Sequence, residues 1–457
     1  MPAPLEMQYK THLFASGSDP GFHGQWPPPG RCRRGRWPWL ALVLGLLAWI
    51  WCPPAAEAQT REFIVISDLH YNGSQGDDDS GVLFQPGEDA SEKLIRLALQ
   101  DARTHCAGPP LFILCLGDVL AHFNKRRSPQ FSPTNEQAVV AGFFQADFPG
   151  VPVFTVLGNN DSDTADGSRS DSDYLPQPAA FLQSFAAAWS PLVPAPADTA
   201  GFTTNFLDPF ATNGWYAVDL PGMEKVRLVG LDSTYFENAE LLPPDQRHSP
   251  AILDEQHRRA TAQFAWLSHE LSRAGRDGVT LWLAFHLPPG HDPYDHKPDF
   301  WDNQWQTRVL RLIASHHAVI GALFCGHTHA DEFRVVYAGT TPVAFAHLAP
   351  SISPIHRNNP AYQIFETDTN TGRLLNYRTY HLTSPTNGWT EEYSFTNEYH
   401  LPDCGLPSMF QLETNLDLRG NDWPAYTNDY SAGAPGGRDA LLDPARYLED
   451  LHITAAP

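Results

Sequence analysis

Five short apolar runs in this 457-residue chain each end in residues that can bind a metal ion. The candidate ligands are two carboxylates, one amide and four imidazoles: Asp68, His70, Asp118, Asn159, His286, His327 and His329. Mixed oxygen and nitrogen donors of this kind bind divalent transition metals. Because ligands in α/β sheets gather at the carboxyl ends of strands, we expect these side chains to form one metal centre.

The spacing of the candidates supports this interpretation. Asp68 and His70 are separated by one residue, as are His327 and His329, and extended residues two apart point to the same side. Asp-x-His alone occurs by chance, and a lone His286 is more often a core histidine. All five elements in this order are difficult to explain as ordinary core polarity. Glycine, which permits sharp turns, precedes three ligands, at Gly117, Gly158 and Gly326.

The apolar runs predict an α/β fold. Runs rich in Val, Ile, Leu and Phe are typical of buried strands, at 63–67, 111–117, 151–157, 226–231, 280–285 and 320–325. Helical spacing of apolar residues predicts helices at 90–104, 136–146 and 254–273. Four further strands are predicted at 333–338, 342–348, 361–367 and 374–380, with a hairpin turn at 369–372. Alternation of strands and helices indicates the α/β class.

The motifs that carry these ligands resemble the signature of the calcineurin-like metallophosphoesterase superfamily. Within it, the chain is similar to the acid sphingomyelinase and sphingomyelinase-like phosphodiesterase branch. The closer similarity rests on GDVLAH at 117–122, HLPPG at 286–290, GHTHAD at 326–331, APSISP at 349–354 and NPAY at 359–362. It covers roughly residues 61–382.

This resemblance implies a four-layer α/β/β/α sandwich of two mixed sheets with two divalent metal ions. Asp68, His70 and His329 would hold one ion, Asp118 would bridge both, and the second ion would take Asn159, His286 and His327. A hydroxide shared by the two ions would attack phosphorus, so no side-chain nucleophile is required. Zinc is the first choice for the metal, and the same donors would accept manganese or iron.

The chain departs from the family pattern after the ligand Asn159. The family usually has histidine there, thought to assist the leaving group or bind phosphate, whereas this chain has Asn160. An amide cannot donate a catalytic proton as an imidazolium can. We therefore predict that His122 supplies the acid or the phosphate contact and that Asn160 orients the substrate. A surface or ligand-supporting role for His122 is the alternative.

The leading function is a secreted phosphodiesterase acting on nucleotide-like or headgroup phosphodiesters. Phosphomonoester hydrolysis and polyphosphate cleavage are alternatives, the latter because the Asn-Asn-Asp sequence at 159–161 resembles that of endopolyphosphatases. A non-catalytic, metal-containing binding protein is an alternative of another class. A small phosphate ester is the expected partner, and the oligomeric state is left open.

Other residues near the motifs have two interpretations each. An aromatic loop after His286 would either stack on a ligand or pack against the domain; its residues are His291, Tyr294, His296, Phe300, Trp301 and Trp305. Asp331 would either orient a ligand histidine or be a simple strand-end charge. The segment 161–173, rich in Asp, Ser and Gly, is predicted to be a mobile surface loop. Four histidines without supporting spacing are assigned to structure: His316, His317, His347 and His356.

The N-terminal 58 residues differ from the rest. Four arginines precede an apolar run at 37–51 and a small-x-small site at 56–58, a pattern typical of a secretory signal peptide, with an uncleaved anchor as the alternative. We expect a secreted or periplasmic protein without stable membrane insertion after cleavage. The predicted domains are this N-terminal extension and signal peptide (1–58), a catalytic domain (59–382) and a C-terminal extension (383–457), which is loop-rich with a helix near 439–451.

Composition excludes some classes of protein. The formal net charge of −22 repels phosphate backbones, so we do not expect nucleic-acid binding. A local metal cluster would still attract a small anionic substrate. The four cysteines after residue 58 show no zinc-knuckle spacing, and a Cys106–Cys404 disulfide is compatible with export.

Overall fold

The computed structural model describes residues 59–73, 83–122, 132–162, 177–193, 206–238, 249–293, 299–384, 386, 388–416, 420, 422–437, 441 and 443–455. The predicted signal peptide at 1–58 lies outside these ranges. In the described ranges, no helix combines the length and the hydropathy needed to cross a membrane.

The strands of the described chain are short. In chain order they are β1 (Thr60–Ile66), β2 (Ile113–Cys115), β3 (Val153–Thr155), β4 (Tyr216–Asp219), β5 (Val226–Gly230), β6 (Thr280–Ala284), β7 (Ile320–Cys325), β8 (Glu332–Ala338), β9 (Thr341–Leu348), β10 (Ala361–Asp368), β11 (Arg373–His381), β12 (Thr390–Ser394) and β13 (His452–Ala455).

The α-helices follow most of the parallel strands. They are α1 (Glu92–His105), α2 (Pro133–Asp147), α3 (Ala179–Trp189), α4 (Leu207–Asn213), α5 (Pro250–Asp277), α6 (Asn303–Ser315), α7 (Phe395–Glu398), α8 (Leu406–Asn415), α9 (Asp422–Asp429) and α10 (Pro444–Asp450).

The strands form two mixed sheets. The first has the order β12–β11–β10–β1–β2–β3, and the second has the order β13–β8–β9–β7–β6–β5–β4. Strands β1, β2 and β3 are parallel, with Ile64 opposite Ile113 and Ile113 opposite Val153. Strands β5, β6, β7 and β9 are also parallel to their neighbours in that series. The carboxyl ends of each parallel set therefore share one edge.

Aromatic side chains fill the space between the sheets. Phe63 of β1 packs against Trp282 of β6 at a ring-centroid distance of 5.2 Å and against Phe324 of β7 at 6.0 Å. Buried residues of α1, α2 and α3 belong to the same core. A second core lies on the outer face of the second sheet, where α5 and α6 pack. The result is four layers, α/β/β/α, as the resemblance to the calcineurin-like superfamily implies.

Local sequence explains where the helices begin and end. Ser91 caps α1 by accepting a hydrogen bond from the backbone N–H of Leu94 at 3.3 Å. Helix α5 has Pro250 in its first turn and ends at Gly278, whose φ of +63° is the left-handed conformation that closes many helices. The hairpin turn predicted at 369–372 joins β10 to β11, and Gly372 has a φ of +70° there.

The predicted strands and helices all form, with ends that shift by a few residues. The sequence missed the short edge strands β4, β12 and β13, because four or five residues carry too little periodicity. Residues after 382 add an outer strand to each sheet, and α10 lies within the helix predicted near 439–451. The Cys106–Cys404 disulfide is absent, since all four described cysteines are free thiols.

Candidate metal centre

The seven predicted ligands lie together where the carboxyl ends of the two sheets meet. Those that follow β1, β2 and β3 are Asp68, His70, Asp118 and Asn159, and those that follow β6 and β7 are His286, His327 and His329. We call these seven residues the ligand cluster. Both sheets contribute to it, so the centre depends on their packing.

One half of the ligand cluster surrounds Asp68. Its Oδ1 atom lies 3.3 Å from Nε2 of His329 and 3.6 Å from Nε2 of His70. The two Nε2 atoms are 3.1 Å apart. All three side chains are buried. Three donors thus point at one small volume, as the ligands of a single ion do.

The other half surrounds Asp118. Its Oδ2 atom lies 3.3 Å from Nε2 of His286, which in turn lies 3.1 Å from Oδ1 of Asn159. The donor atoms of Asp118, His286 and His327 lie within 4.8 Å of one another. The same Oδ2 of Asp118 is 3.6 Å from Nε2 of His70 in the first half. Asp118 therefore stands between the two halves.

The backbone of the ligands differs from our expectation. Five of the seven have left-handed φ angles of 44° to 76°: Asp68, His70, Asp118, His327 and His329. The prediction that the paired ligands are extended is therefore wrong; tight turns, not strand alternation, direct these side chains together. Non-glycine residues rarely adopt such angles, and strain of about 1–3 kcal/mol per residue clusters at functional sites.

Two of the three glycines are required for close approach rather than for turning. Gly117 has a φ of +90°, as a sharp turn requires. A Cβ atom on Gly158 would lie 2.0 Å from Oδ1 of Asp118. A Cβ on Gly326 would lie 2.2 Å from Oγ of Ser67 and 2.7 Å from Oδ2 of Asp68. Either side chain would displace a carboxylate of the cluster.

Backbone carbonyls fix two of the imidazoles. Nδ1 of His70 lies 3.0 Å from the carbonyl of Leu120, and Nδ1 of His286 lies 2.7 Å from the carbonyl of Leu116. These contacts suit Nδ1–H tautomers that leave Nε2 for the centre. On the opposite side of Asp68, Oδ2 accepts a hydrogen bond from the backbone N–H of His327 at 3.0 Å.

Carboxylates and imidazoles of the cluster shift each other's pKa values. Burial alone would raise the pKa of Asp118, but His286 and His70 lower it below its ordinary value. Burial alone would lower the pKa of His286, but Asp118 and Asp68 raise it to about 10. The pocket thus stabilises the ionised carboxylate of Asp118 and the protonated, positively charged form of His286. A divalent cation supplies such charge without a proton.

One atom tests whether the residues fit a metal. Oδ1 of Asp68 is buried and, among the described residues, has no hydrogen-bond partner. It lies within 3.8 Å of the Nε2 atoms of three histidines of the cluster. A buried carboxylate oxygen without a donor is costly unless a cation binds it. The donor set and this orphaned oxygen fit a dinuclear site.

Asn160 lies against Asp118. Its backbone N–H donates to Oδ1 of Asp118 at 2.7 Å, and its Nδ2 donates to Oδ2 at 2.7 Å. The side chain is buried. These contacts suit a residue that orients Asp118, whereas the sequence led us to expect a contact with substrate.

Asp161 was predicted to lie on a surface loop, and that prediction is wrong. The residue is buried, and its carboxylate accepts hydrogen bonds from the backbone N–H groups of Val119, Leu120 and Gly158 at 2.9 to 3.1 Å. Burial and the Asp118 charge raise its pKa to about 7. It holds the β2 and β3 turns together. Residues 163–173 of the predicted loop lie outside the described ranges.

His122 borders the cluster and pairs with a residue that the sequence did not reveal. Its Nδ1 lies 2.8 Å from Oδ1 of Asp89, a buried carboxylate, and its backbone N–H donates to Oδ2 at 3.0 Å. The His122 ring stacks on His70 at 3.9 Å, and its side chain is 22% exposed. Asp89 lies in a loop before α1, without motif or periodicity to identify it.

His356, which we assigned to structure, also borders the cluster. Its ring centroid is 4.5 Å from that of His329 and 6.2 Å from that of His122. The residue is exposed. Its three companions lie elsewhere: His316 and His317 follow α6, and His347 lies on β9. The fold alone brings His356 here, because nothing in its local sequence indicates a ligand-proximal position.

Asp331 belongs to a separate buried network. Its Oδ2 accepts hydrogen bonds from Tyr393 at 2.6 Å, Gln363 at 2.8 Å and Thr379 at 2.9 Å. Oε1 of Gln363 lies 2.7 Å from Nε2 of His347. We call these five residues the Asp331 network. The described hydrogen bonds of the Asp331 side chain thus go to this network. Neither interpretation from the sequence, an orienter of a ligand histidine or a simple strand-end charge, describes them.

The aromatic loop after His286 packs against the domain where it is described. Phe300, Trp301 and Trp305 are no more than 4% exposed, so they cannot present a stacking surface. The ring of Phe300 meets His327 edge-on at 4.7 Å and so supports a ligand. His291 is exposed and pairs with Asp299 at 3.0 Å. Tyr294 and His296 lie outside the described residues.

Comparison with known proteins agrees with this geometry. A family model described as calcineurin-like phosphoesterase matches residues 62–331, which is more than half of the chain. The chain belongs to that family. It is therefore a metal-dependent phosphoric ester hydrolase by family, and the family implies a dinuclear metal centre.

Curated relatives of this metallophosphoesterase indicate the branch. The chain is 27% identical over 408 residues to acid sphingomyelinase-like phosphodiesterase 3b of Mus musculus, covering 81% of this chain and 83% of the relative. It is 26% identical over 360 residues to sphingomyelin phosphodiesterase of Homo sapiens, covering 74% and 51%. It is 23% identical over 288 residues to a cyclic GMP-AMP phosphodiesterase of Rattus norvegicus, covering 59% and 58%.

A solved structure of a dimetal phosphatase from Danio rerio is also similar to this metallophosphoesterase. The TM-score is 0.43 at 14% identity, with 72% of this chain and 98% of that chain covered.

Proposed function

We propose that this protein is an exported phosphodiesterase that hydrolyses small nucleotide-like or headgroup phosphodiesters. The observation that carries the proposal is the position of Asp118, whose Oδ2 faces His286 at 3.3 Å and His70 at 3.6 Å. One carboxylate thus serves two groups of ligands. Three relatives are named as phosphodiesterases, which supports a diester as substrate.

We propose that the seven residues of the ligand cluster hold two divalent cations. Asp68, His70 and His329 would bind the first, Asn159, His286 and His327 the second, and Asp118 both. When bound, two such ions lower the pKa of water and neutralise phosphoryl oxygens. Zinc is our first choice because imidazoles and carboxylates suit it; manganese and iron accept the same donors.

The protein side chains have two tasks in this reaction. Hydrolysis adds a water oxygen to phosphorus and breaks one P–O ester bond, so the leaving oxygen must receive a proton. Asp89 fixes His122 through Nδ1, which leaves Nε2 as the nitrogen through which a proton would pass. Asn160 orients the Asp118 carboxylate by two hydrogen bonds. Proton transfer by a positioned side chain typically contributes 10²–10⁴-fold.

The test is a substrate panel with the zinc-loaded and manganese-loaded protein expressed without residues 1–58. We expect faster turnover of bis(p-nitrophenyl) phosphate than of p-nitrophenyl phosphate. A preference for the monoester, or for polyphosphate chains, would replace the diesterase assignment. Two bound metal ions without any turnover would support a binding protein instead.

The His122→Ala variant tests the leaving-group role. Diesters with a poor alkoxide leaving group should lose far more rate than those that release p-nitrophenol, whose oxygen needs little protonation. Equal losses on both would show that His122 binds phosphate rather than donating a proton. Asp89→Asn should shift the same ratio in the same direction by less.

A further inference from the structure

The loop between β9 and β10 lies beside the ligand cluster. We call residues 351–360 the rim loop. The backbone N–H of Ser353 donates to the carbonyl of Asp68 at 3.0 Å, and that of Ile352 donates to the carbonyl of Ser67 at 3.1 Å. The rim loop is thus bonded to the turn that carries a ligand, which fixes its distance from the centre.

His356 lies in a tight turn of the rim loop. The N–H of Arg357 donates to the carbonyl of Pro354 at 2.9 Å, which closes the turn. The His356 side chain is exposed, and its ring meets that of His329 at 90° with a centroid distance of 4.5 Å. His122 meets His329 from another direction at 6.1 Å. Two partly exposed imidazoles therefore border the same ligand.

Hydrogen bonds inside the rim loop hold this arrangement. Nδ2 of Asn358 donates to Oγ of Ser351 at 2.9 Å and to the carbonyl of Ser353 at 3.3 Å. Oγ of Ser351 also donates to that carbonyl at 2.6 Å. All three residues are buried. The loop thus has a buried framework beneath an exposed histidine.

The C-terminal part of the chain supports the loop from outside. Nδ2 of Asn359 donates to the carbonyl of Ala432 at 2.7 Å. A Cβ on Gly437 would lie 3.0 Å from Cα of Asn358, and a Cβ on Gly436 would lie 3.2 Å from Cβ of Arg357. Such close backbone packing leaves the turn little freedom. A group held rigidly at a site loses little entropy when it binds a ligand.

The location of His356 beside the ligand cluster determines which part of a bound substrate its side chain can contact. In the proposed reaction the phosphoryl group lies at Asp118, between the two halves of the ligand cluster. The described ring contacts of His356 are His329 and His122, at the outer edge of the first half. In that reaction His356 would face the groups attached to phosphorus rather than phosphorus itself.

We propose that His356 is a specificity-determining residue that contacts an ester substituent of the bound phosphodiester. This inference rests on the proposed diesterase function. An imidazole N–H can donate to an ester or substituent oxygen, and the ring edge can pack against an apolar substituent. A monoester lacks the second substituent that His356 would contact, so its turnover should depend less on His356 than that of a diester.

The experiment compares His356→Ala with the zinc-loaded parent protein on bis(p-nitrophenyl) phosphate and p-nitrophenyl phosphate. We expect KM for the diester to rise about tenfold, the effect of about 1.4 kcal/mol, which is the scale of one hydrogen bond. The diester kcat, monoester kcat/KM and zinc content should stay within about twofold. His356→Gln, which keeps an N–H donor, should recover part of the diester KM.

Two further variants separate contact from general damage. His317→Ala removes an exposed histidine beyond α6 and should leave both KM values unchanged. Asn359→Ala, which releases the rim loop from Ala432, should raise the diester KM by less than His356→Ala. An unchanged ratio of diester to monoester kcat/KM in His356→Ala, or loss of zinc, would overturn the proposal.

The same data distinguish the two levels of inference. If the parent protein itself prefers the monoester, the diesterase assignment fails. The specificity role of His356 fails when its substitution leaves the parent ratio, whatever its value, unaltered, or when the variant loses zinc.

Discussion

The ligand cluster and the Asp331 network are two buried polar groups between the same two sheets, and each combines carboxylate with imidazole. In the Asp331 network, one carboxylate oxygen accepts three hydrogen bonds of 2.6 to 2.9 Å. In the ligand cluster, Oδ1 of Asp68 has three imidazole Nε2 atoms within 3.8 Å but no hydrogen bond among the described residues. Oδ2 of Asp331 is thus satisfied without an ion, whereas Oδ1 of Asp68 is not.

The backbone marks the same difference. Five members of the ligand cluster adopt left-handed φ angles, whereas four of the five residues of the Asp331 network stand on regular strands. Burial raises the pKa of Asp331 to about 7, while neighbouring histidines lower the pKa of Asp118. Convergent acceptors without donors, on strained turns, therefore indicate a cation site better than the presence of Asp and His does.

Asp118→Asn should give the largest effect. The amide removes the charge that serves both halves of the ligand cluster, so metal content and activity should fall together. The loss should exceed the roughly 10–100-fold that residues outside the ligand shell cost. Elemental analysis and turnover of the diester measure the two losses. Full activity with two ions bound would contradict the proposal that Asp118 binds both ions.

Asp331→Ala should affect stability instead of metal binding. It leaves the donors of Tyr393, Gln363 and Thr379 without their acceptor, which should lower the free energy of unfolding by about 2–4 kcal/mol. Urea unfolding at equal zinc occupancy measures this change. Asp331→Asn keeps one acceptor oxygen and should lose less. Loss of zinc at unchanged stability would show that the Asp331 network supports metal binding rather than stability, contrary to the distinction drawn above.

A smaller effect concerns Asp429, which accepts a hydrogen bond from Tyr399 at 2.7 Å beside the Asp331 network. Burial raises its pKa to about 8, against the lowering effect of the Tyr399 bond; Glu392, Asp331 and Glu398 raise it further. The unfolded group ionises near pH 4, so its contribution to stability is full below that pH and is lost as pH rises towards 8.

The measurement is the free energy of unfolding against pH for the parent protein and Asp429→Asn. The parent should lose about 2 kcal/mol relative to the variant between pH 6 and 8. Parallel curves would show that Asp429 is already ionised at pH 6.

The sequence points to the seven candidate ligands because each follows an apolar strand within a few residues. The buried strands β1, β6 and β7 are long enough for composition to identify them, and strand ends then locate the polar residues. Edge strands such as β13 and β4 lack that signal, because each has only four residues and buried residues alternate with more exposed ones.

The surroundings of the site were less predictable for a different reason. Asp89 and His356 reach the cluster through loops whose course is set by tertiary contacts, including those of the C-terminal residues with the rim loop. Asp161 appeared to begin a polar surface segment, yet backbone donors from two turns bury it. Local composition carries no information about such distant partners.

Gly158 and Gly326 offer no functional group, yet a single methyl at either would overlap a carboxylate of the centre or its neighbour. A saturation-mutagenesis scan would therefore score these two positions as intolerant as the ligands themselves. Any side chain at these two positions would overlap the centre. Natural selection on this enzyme should therefore retain glycine at both positions as strictly as it retains the metal-binding residues.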